Sequence, residues 1–475
     1  MTLLRRQFLR LAAGTAAITT LAQSAIPPEA HAQAPNKASL PRRSARDRLE
    51  EALARIADPK GEGARACLTV YSDAARAAAD AADARSRAGV SLGPLDGAII
   101  SIKDLFDVAG EPTRAGSKVL ADAPPAEADA PVVRRLRAAG AVVIAKTNMA
   151  EFASSVFGQN PHYGTPGNPA DRTRVPGGSS SGAAVAIADG MCEIAIGSDS
   201  GGSCRVPAAF CGIVGSKPSK QRVPTEGAFP LSYTLDSIGP LARTVAACAQ
   251  ADAVMAGEEF RRLEPAPLPG LRLGMPQPLL RDLDETVATR FSAAVAVLGK
   301  TGVRLEDEPL TLFEDMLAAI RANGGLTGGL TAIEAYAIHR ERLASRGQDY
   351  DPFVRARLEQ GRGPSGADYV VLTRERARLI RAMDERLDNL DALVLPTTAV
   401  VAPKMSEITT FEAFLTKAAV VVRNTSWVNF FDLCAISLPL PREGGLPVGL
   451  MLVARNGHDR RLFRIAAAAE RVFAA

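Results

Sequence analysis

The segment Cys192-Glu193-Ile194-Ala195-Ile196-Gly197-Ser198-Asp199-Ser200-Gly201-Gly202-Ser203-Cys204-Arg205 starts as a short apolar strand, Cys192–Ile196, and runs straight into a glycine-bearing turn over Gly197–Gly202. A serine, Ser203, stands directly after the two glycines. Glycine lets a backbone fold tightly and leaves N–H groups free to converge on one spot. An oxyanion hole needs such a cluster of amides. An ordinary Gly/Ser loop has the same composition, so the segment alone leaves both readings open.

On either side of it, helices and strands alternate. Ala183–Ala188 reads as helix, and 158–182 is dense in Gly, Pro, Asn and Ser, a long irregular stretch of the kind that usually serves function. Upstream, Met149–Phe157 and Val132–Ala139 read as helices, while Ala141–Ala145 and Ala98–Ile102 read as short apolar strands. Ser44–Ile56 and Asp73–Ala88 have helical spacing, the latter rich in alanine. Toward the end, Ala392–Pro396 and Val448–Val453 read as buried strands, and Asp459–Ala475 as a closing helix. This alternation predicts an α/β fold with a mixed or parallel sheet.

At 475 residues and 47% hydrophobic, the chain has material for a large core, which excludes a disordered, collagen-like or disulfide-scaffold protein. The formal charge is +4, and removing residues 1–32, with Arg5, Arg6 and Arg10 against Glu29, halves it. No basic stripe with interleaved aromatics is present, so no nucleic-acid partner is expected. Four histidines and six cysteines show no C-x-x-C pair and no zinc-like spacing, so no metal is expected.

Two further segments carry chemistry: Ser101-Ile102-Lys103-Asp104 and Pro176-Gly177-Gly178-Ser179-Ser180-Ser181-Gly182. A serine nucleophile needs a base, and histidine is the usual one. Only His162 lies near these segments in sequence. Lysine can serve instead if burial lowers its pKa enough to leave a neutral amine. Lys103, at the end of an apolar strand, is placed for that, although such a lysine is also a common structural ion-pair partner.

The three segments together resemble the amidase signature family of serine hydrolases. Ser179 and Ser203 stand 24 positions apart, as in that family. The resemblance continues through Lys146-Thr147-Asn148-Met149 with Glu151-Phe152, Ala209-Phe210-Cys211-Gly212, Asp236-Ser237-Ile238-Gly239-Pro240 and Gly445-Leu446-Pro447-Val448-Gly449-Leu450. It covers most of residues 45–475 and is weak between 260 and 385. It implies one large α/β domain, 44–475, around a central mixed sheet flanked by helices. It further implies Ser203 as nucleophile, Lys103 as base, and Ser179, after a cis peptide bond from Gly178, as proton relay. Backbone N–H groups of Ser200, Gly201, Gly202 and Ser203 would form the oxyanion hole. Asp199, Arg205 and Ser180 would hold the loop and hydrogen-bond the lysine and serine. The substrate would be a small amide, with no metal or cofactor, and a homodimer is compatible with the family. Cys204, directly after the nucleophile, departs from the family's small or β-branched apolar residue. It reads either as a reactive thiol or as a buried small hydrophobe.

Other readings compete. Gly178-Ser179-Ser180-Ser181-Gly182 also fits the G-x-S-x-G elbow of α/β-hydrolases, but the residues before it form no strand. Two alternatives are of other kinds: a protein like the amide-hydrolysing subunit of a tRNA-dependent amidotransferase, working inside a complex, and a non-catalytic binding protein on the same scaffold. At the N-terminus, Leu4-Arg5-Arg6-Gln7-Phe8-Leu9-Arg10 resembles a twin-arginine export motif. An apolar stretch to Ala25 and the small residues of Ala30-His31-Ala32 follow in signal-peptide order. The expected organisation is a signal peptide over 1–32, a linker over 33–43, and a periplasmic or secreted enzyme.

Overall fold

Eleven strands among the described residues carry the fold: β1 Cys67–Val70, β2 Ile99–Lys103, β3 Val142–Thr147, β4 Ile194–Asp199, β5 Val214–Lys217, β6 Ser237–Ala242, β7 Arg272–Pro276, β8 Arg304–Glu308, β9 Ala392–Pro396, β10 Cys434–Pro439 and β11 Gly449–Ala454. In the computed structural model, which describes residues 43–324, 329–442 and 444–474, they form one sheet in the order β1-β3-β2-β4-β6-β5-β10-β11-β9-β7-β8. The signal and linker expected over 1–43 lie, apart from Arg43, outside the described residues. Arg43–Ala475 forms one compact unit.

The sheet is mixed. β2 runs parallel to both β3 and β4, and β7 parallel to both β9 and β8. The centre from β4 through β6, β5, β10 and β11 to β9 is antiparallel. Parallel neighbours need long crossovers, and helices supply them: Pro131–Ala138 between β2 and β3, and Glu285–Gly299 between β7 and β8. Every residue of β2, β3, β4, β6, β9 and β11 is buried, as expected for strands covered on both faces. On β2 the alternation of side chains divides two cores. Ile99 packs in a cluster with Leu49, Ala79 and Val185, whereas Ile100 and Ile102 belong to one with Val132, Val133 and Leu136.

Two sequence expectations fail for tertiary reasons. Met149–Phe157 is not a helix; only the single turn Glu151–Ala153 is helical, and Phe152 and Ala153 have φ of 50° and 57°. Long-range partners engage this segment. Glu151 accepts from Ser117 Oγ and from the Asp351 amide, and pairs with His162 Nε2, while the Val156 carbonyl accepts from Gly178 N–H at 2.7 Å. The strand expected over Cys192–Ile196 runs instead over Ile194–Asp199, so the turn begins at Ser200. The extension comes from β6, which pairs Gly197 with Gly239, Ser198 with Ile238 and Asp199 with Ser237.

Candidate active site

β2 ends by delivering Lys103 into the interior, where its side chain is fully buried. Its Nζ donates to Ser179 Oγ and to Ser198 Oγ, both at 2.8 Å. No carboxylate lies within ion-pair distance of it among the described residues, so the ion-pair role open at the sequence level has no partner. Burial lowers the Lys103 pKa to about 8, against a smaller opposing pull from Cys204, Asp236 and Asp199.

The loop that brings Ser179 is pinned at both sides. The Gly178–Ser179 peptide is cis, Gly178 N–H donates to Val156, and the Ser179 carbonyl accepts from Ala150 N–H at 3.0 Å. Ser180 does not reach the lysine as expected. Its Oγ donates to the Ser198 carbonyl at 3.3 Å and its N–H to the Ser203 carbonyl at 3.4 Å, tying the loop to the turn after β4. Gly197 makes this approach possible, because a Cβ there would lie 2.7 Å from Ser180 Oγ and 3.0 Å from Cys204 Sγ.

The turn itself is organised by one buried ion pair. Asp199 and Arg205 are both fully buried, with Arg205 Nη2 2.8 Å from Asp199 Oδ1 and Nε 3.0 Å from Oδ2. Burial pushes the Asp199 carboxyl up, but the Arg205 charge and hydrogen bonds outweigh it and hold the group well below the usual carboxylate range. The carboxylate accepts from Gly202 N–H at 2.8 Å and from Cys204 N–H at 3.1 Å. This corrects the expectation for Gly202, whose amide is committed to Asp199 rather than free for an oxyanion. The amides of Ser200, Gly201 and Ser203 have no acceptor among the described residues. Gly202 has φ of +135°, and a Cβ on it would meet Thr425 Oγ1 at 2.4 Å. Thr425 Oγ1 donates to the Gly201 carbonyl at 2.7 Å, and Asn429 Nδ2 donates to Asp199 Oδ1 at 3.0 Å.

Ser203 is 5% exposed, and with Ser200 and Gly201 it forms part of the wall of a cavity of about 450 Å³. Its hydroxyl makes no hydrogen bond to Ser179 in this structure. A larger groove of about 870 Å³, lined by Arg374, Arg378 and Arg381, touches none of these residues.

The Amidase family profile matches residues 47–463. The chain belongs to the amidase family. It is 38% identical to the 2-amino-5-chloromuconic acid deaminase of Comamonas testosteroni, over 82% of this chain and 85% of that protein. It is 35% identical to the A-type subunit of glutamyl-tRNA(Gln) amidotransferase from Symbiobacterium thermophilum, over 90% of this chain and 93% of that one. A crystal structure of an amidase superposes with a TM-score of 0.79 at 34% identity, covering 90% of this chain and 96% of the other.

Within this amidase-family site, sequence reasoning missed Ser198, Thr425 and Asn429. Ser198 looked like part of a turn, and the other two lie more than 220 residues from the Gly-Gly-Ser segment. Cys204 is buried, and burial first, then Asp199, pushes its thiol up to about 12, which fits a small hydrophobe rather than a nucleophile. Two of the histidines are engaged elsewhere. His162 pairs with Glu151, and His339 bonds Tyr350 Oη through Nδ1 at 3.0 Å, its pKa lowered to about 3 by burial. Among the described residues no group of three or more His, Cys, Asp or Glu side chains is placed to hold a metal ion.

Proposed function

We propose that this protein hydrolyses a small carboxylic amide to an acid and ammonia or an amine. The observation that carries the reading is Lys103: a buried amine with a lowered pKa whose partners are hydroxyls, one of them Ser179 at 2.8 Å. In the proposed cycle neutral Lys103 takes a proton from Ser179 as Ser179 takes one from Ser203. Ser203 Oγ then bonds to the amide carbon, and the carbonyl oxygen gains negative charge beside the amides of Ser200, Gly201 and Ser203. The proton returns through Ser179 to the leaving nitrogen and the C–N bond breaks, leaving an acyl ester on Ser203. Water attacks that ester by the same route, releasing the acid and restoring the serine. Asp199 and Arg205 do not touch the reacting atoms in this reading; they fix the turn that carries the donors.

Two cations, Arg357 and Arg423, line the cavity, and among the described residues no acidic side chain does. A cationic amide is therefore disfavoured by like-charge repulsion. The identity to the amidotransferase chain supports the alternative of a protein that works only within a complex. Ammonia release by the isolated chain from a panel of neutral and acidic amides, lost in Ser203→Ala, tests the hydrolase reading. Release from every amide being no faster than from Ser203→Ala would remove it. We propose in addition that residues 1–32 direct export, on the Arg5-Arg6 motif.

A further inference from the structure

The cavity beside Ser203 is walled chiefly by carbon. On the helix Thr311–Gly324, Phe313, Met316, Leu317 and Ile320 follow the i, i+3, i+4, i+7 spacing that places them on one face, and all four line the cavity. Leu415 and Val422 line it from the helix Phe411–Val422. The two arginines at its wall donate to backbone carbonyls, Arg357 to Ser154 at 3.0 Å and Arg423 to Arg281 at 2.7 Å. Protein interiors leave few voids larger than a water molecule. An apolar helix face set against about 450 Å³ of open space at a reacting serine is a surface kept for an apolar ligand.

We infer that the scissile amide carries an extended apolar arm, an alkyl or aryl group of about six to ten carbons, rather than the one or two carbons of a formamide or acetamide. The inference rests on Ser203 being the nucleophile and adds the substrate class to that reading. The arm fills the space between the two helices, and each methylene it buries raises kcat/KM about fourfold until the cavity is full.

Alkyl fluorophosphonates test this without knowledge of the natural amide. Ser203 Oγ bonds to phosphorus, the P–F bond breaks, fluoride leaves, and the serine proton passes through Ser179 to Lys103. The second-order rate of Ser203 labelling is compared for ethyl, hexyl and octyl probes, with the adduct located by mass spectrometry. The hexyl probe is expected to react on the order of a hundredfold faster than the ethyl probe. Leu317→Asp and Ile320→Asp should each lower that ratio about tenfold, and the milder Leu317→Ala a few-fold. Equal rates for all chain lengths would overturn the apolar arm while leaving Ser203 as nucleophile. Labelling by none of the probes would remove the hydrolase reading and this inference with it. Turnover of hexanamide against acetamide, and of N-hexylacetamide against N-methylacetamide, then assigns the arm to the acyl or the amine side; a preference in either pair supports it.

Discussion

Lys103 and Ser198 meet across the parallel pair β2–β4, with Lys103 Nζ donating to Ser198 Oγ at 2.8 Å. The same nitrogen donates to Ser179 at 2.8 Å. With two of its hydrogens directed to hydroxyls and the side chain fully buried, the ammonium form has no carboxylate within ion-pair distance among the described residues, and burial outweighs the weaker pull of Cys204, Asp236 and Asp199 to bring the pKa down to about 8. Near neutral pH a far larger share of this lysine is then neutral than at an ordinary lysine pKa.

The rate is therefore expected to rise with pH through about 8 and level off on the alkaline side, because in the proposed cycle the neutral amine is the active form. Lys103→Arg keeps a cation but cannot supply a neutral base, so it should be as inactive as Lys103→Ala. Turnover from about pH 6 to about pH 10, with circular dichroism to confirm folding, checks both. Ser198→Ala removes an acceptor that favours the charged form. Its midpoint should move to lower pH while the plateau drops, a shift that a purely structural role for Ser198 does not produce.

Ser203→Ala should retain less than about a hundredth of the wild-type rate, since loss of a nucleophile removes several powers of ten. Ser179→Ala should be nearly as damaging, because relay and nucleophile act as a unit. Ammonia release is the measurement. A Ser179→Ala enzyme within about tenfold of wild type would break the relay assignment.

Asp199→Ala leaves the Arg205 guanidinium buried without its carboxylate. The expected loss is about 3–5 kcal/mol of stability, read from the urea midpoint. Arg205→Leu made together with it should restore part of that loss, because no unpaired charge then remains inside. Activity should stay low in the double variant, since the Gly202 and Cys204 amides still lack the acceptor that sets the turn.

Gly202→Ala places a Cβ 2.4 Å from Thr425 Oγ1 on a backbone at φ of +135°. The turn must shift, and a displacement of about 1 Å at the reacting serine costs about a hundredfold in rate. Gly201→Ala is the control for stability, because its Cβ would meet only Ser426 Cβ at 3.9 Å. Thermal melts should show Gly202→Ala as the less stable of the two.

The proposed export is tested by Arg5→Lys combined with Arg6→Lys. The double variant should accumulate as full-length precursor in the cytoplasm, while the wild type is found outside it without residues 1–32. Wild-type protein that stays cytoplasmic with those residues attached removes the address.

While the roles of Lys103, Ser179 and Ser203 came only from the family resemblance, the α/β class and the segments that hold these residues stood out without coordinates because their signals are local. They are apolar runs of strand length, glycines beside serines, and a lysine at the end of a buried strand. Other features depended on which strand lies beside which, and no local signal carries that. Pairing with β6 extended β4 through Asp199, making Ser198 a strand residue and the lysine's second partner rather than part of a turn. Long-range hydrogen bonds to Glu151 replaced the helix expected over Met149–Phe157. The Asp199 carboxylate claimed the Gly202 amide, and residues more than 220 positions away, Thr425 and Asn429, closed around the same turn. The cavity beside Ser203 is the clearest case. Its walls come largely from helices in stretches with no readable motif, where an apolar face looks like core until folding leaves it beside empty space.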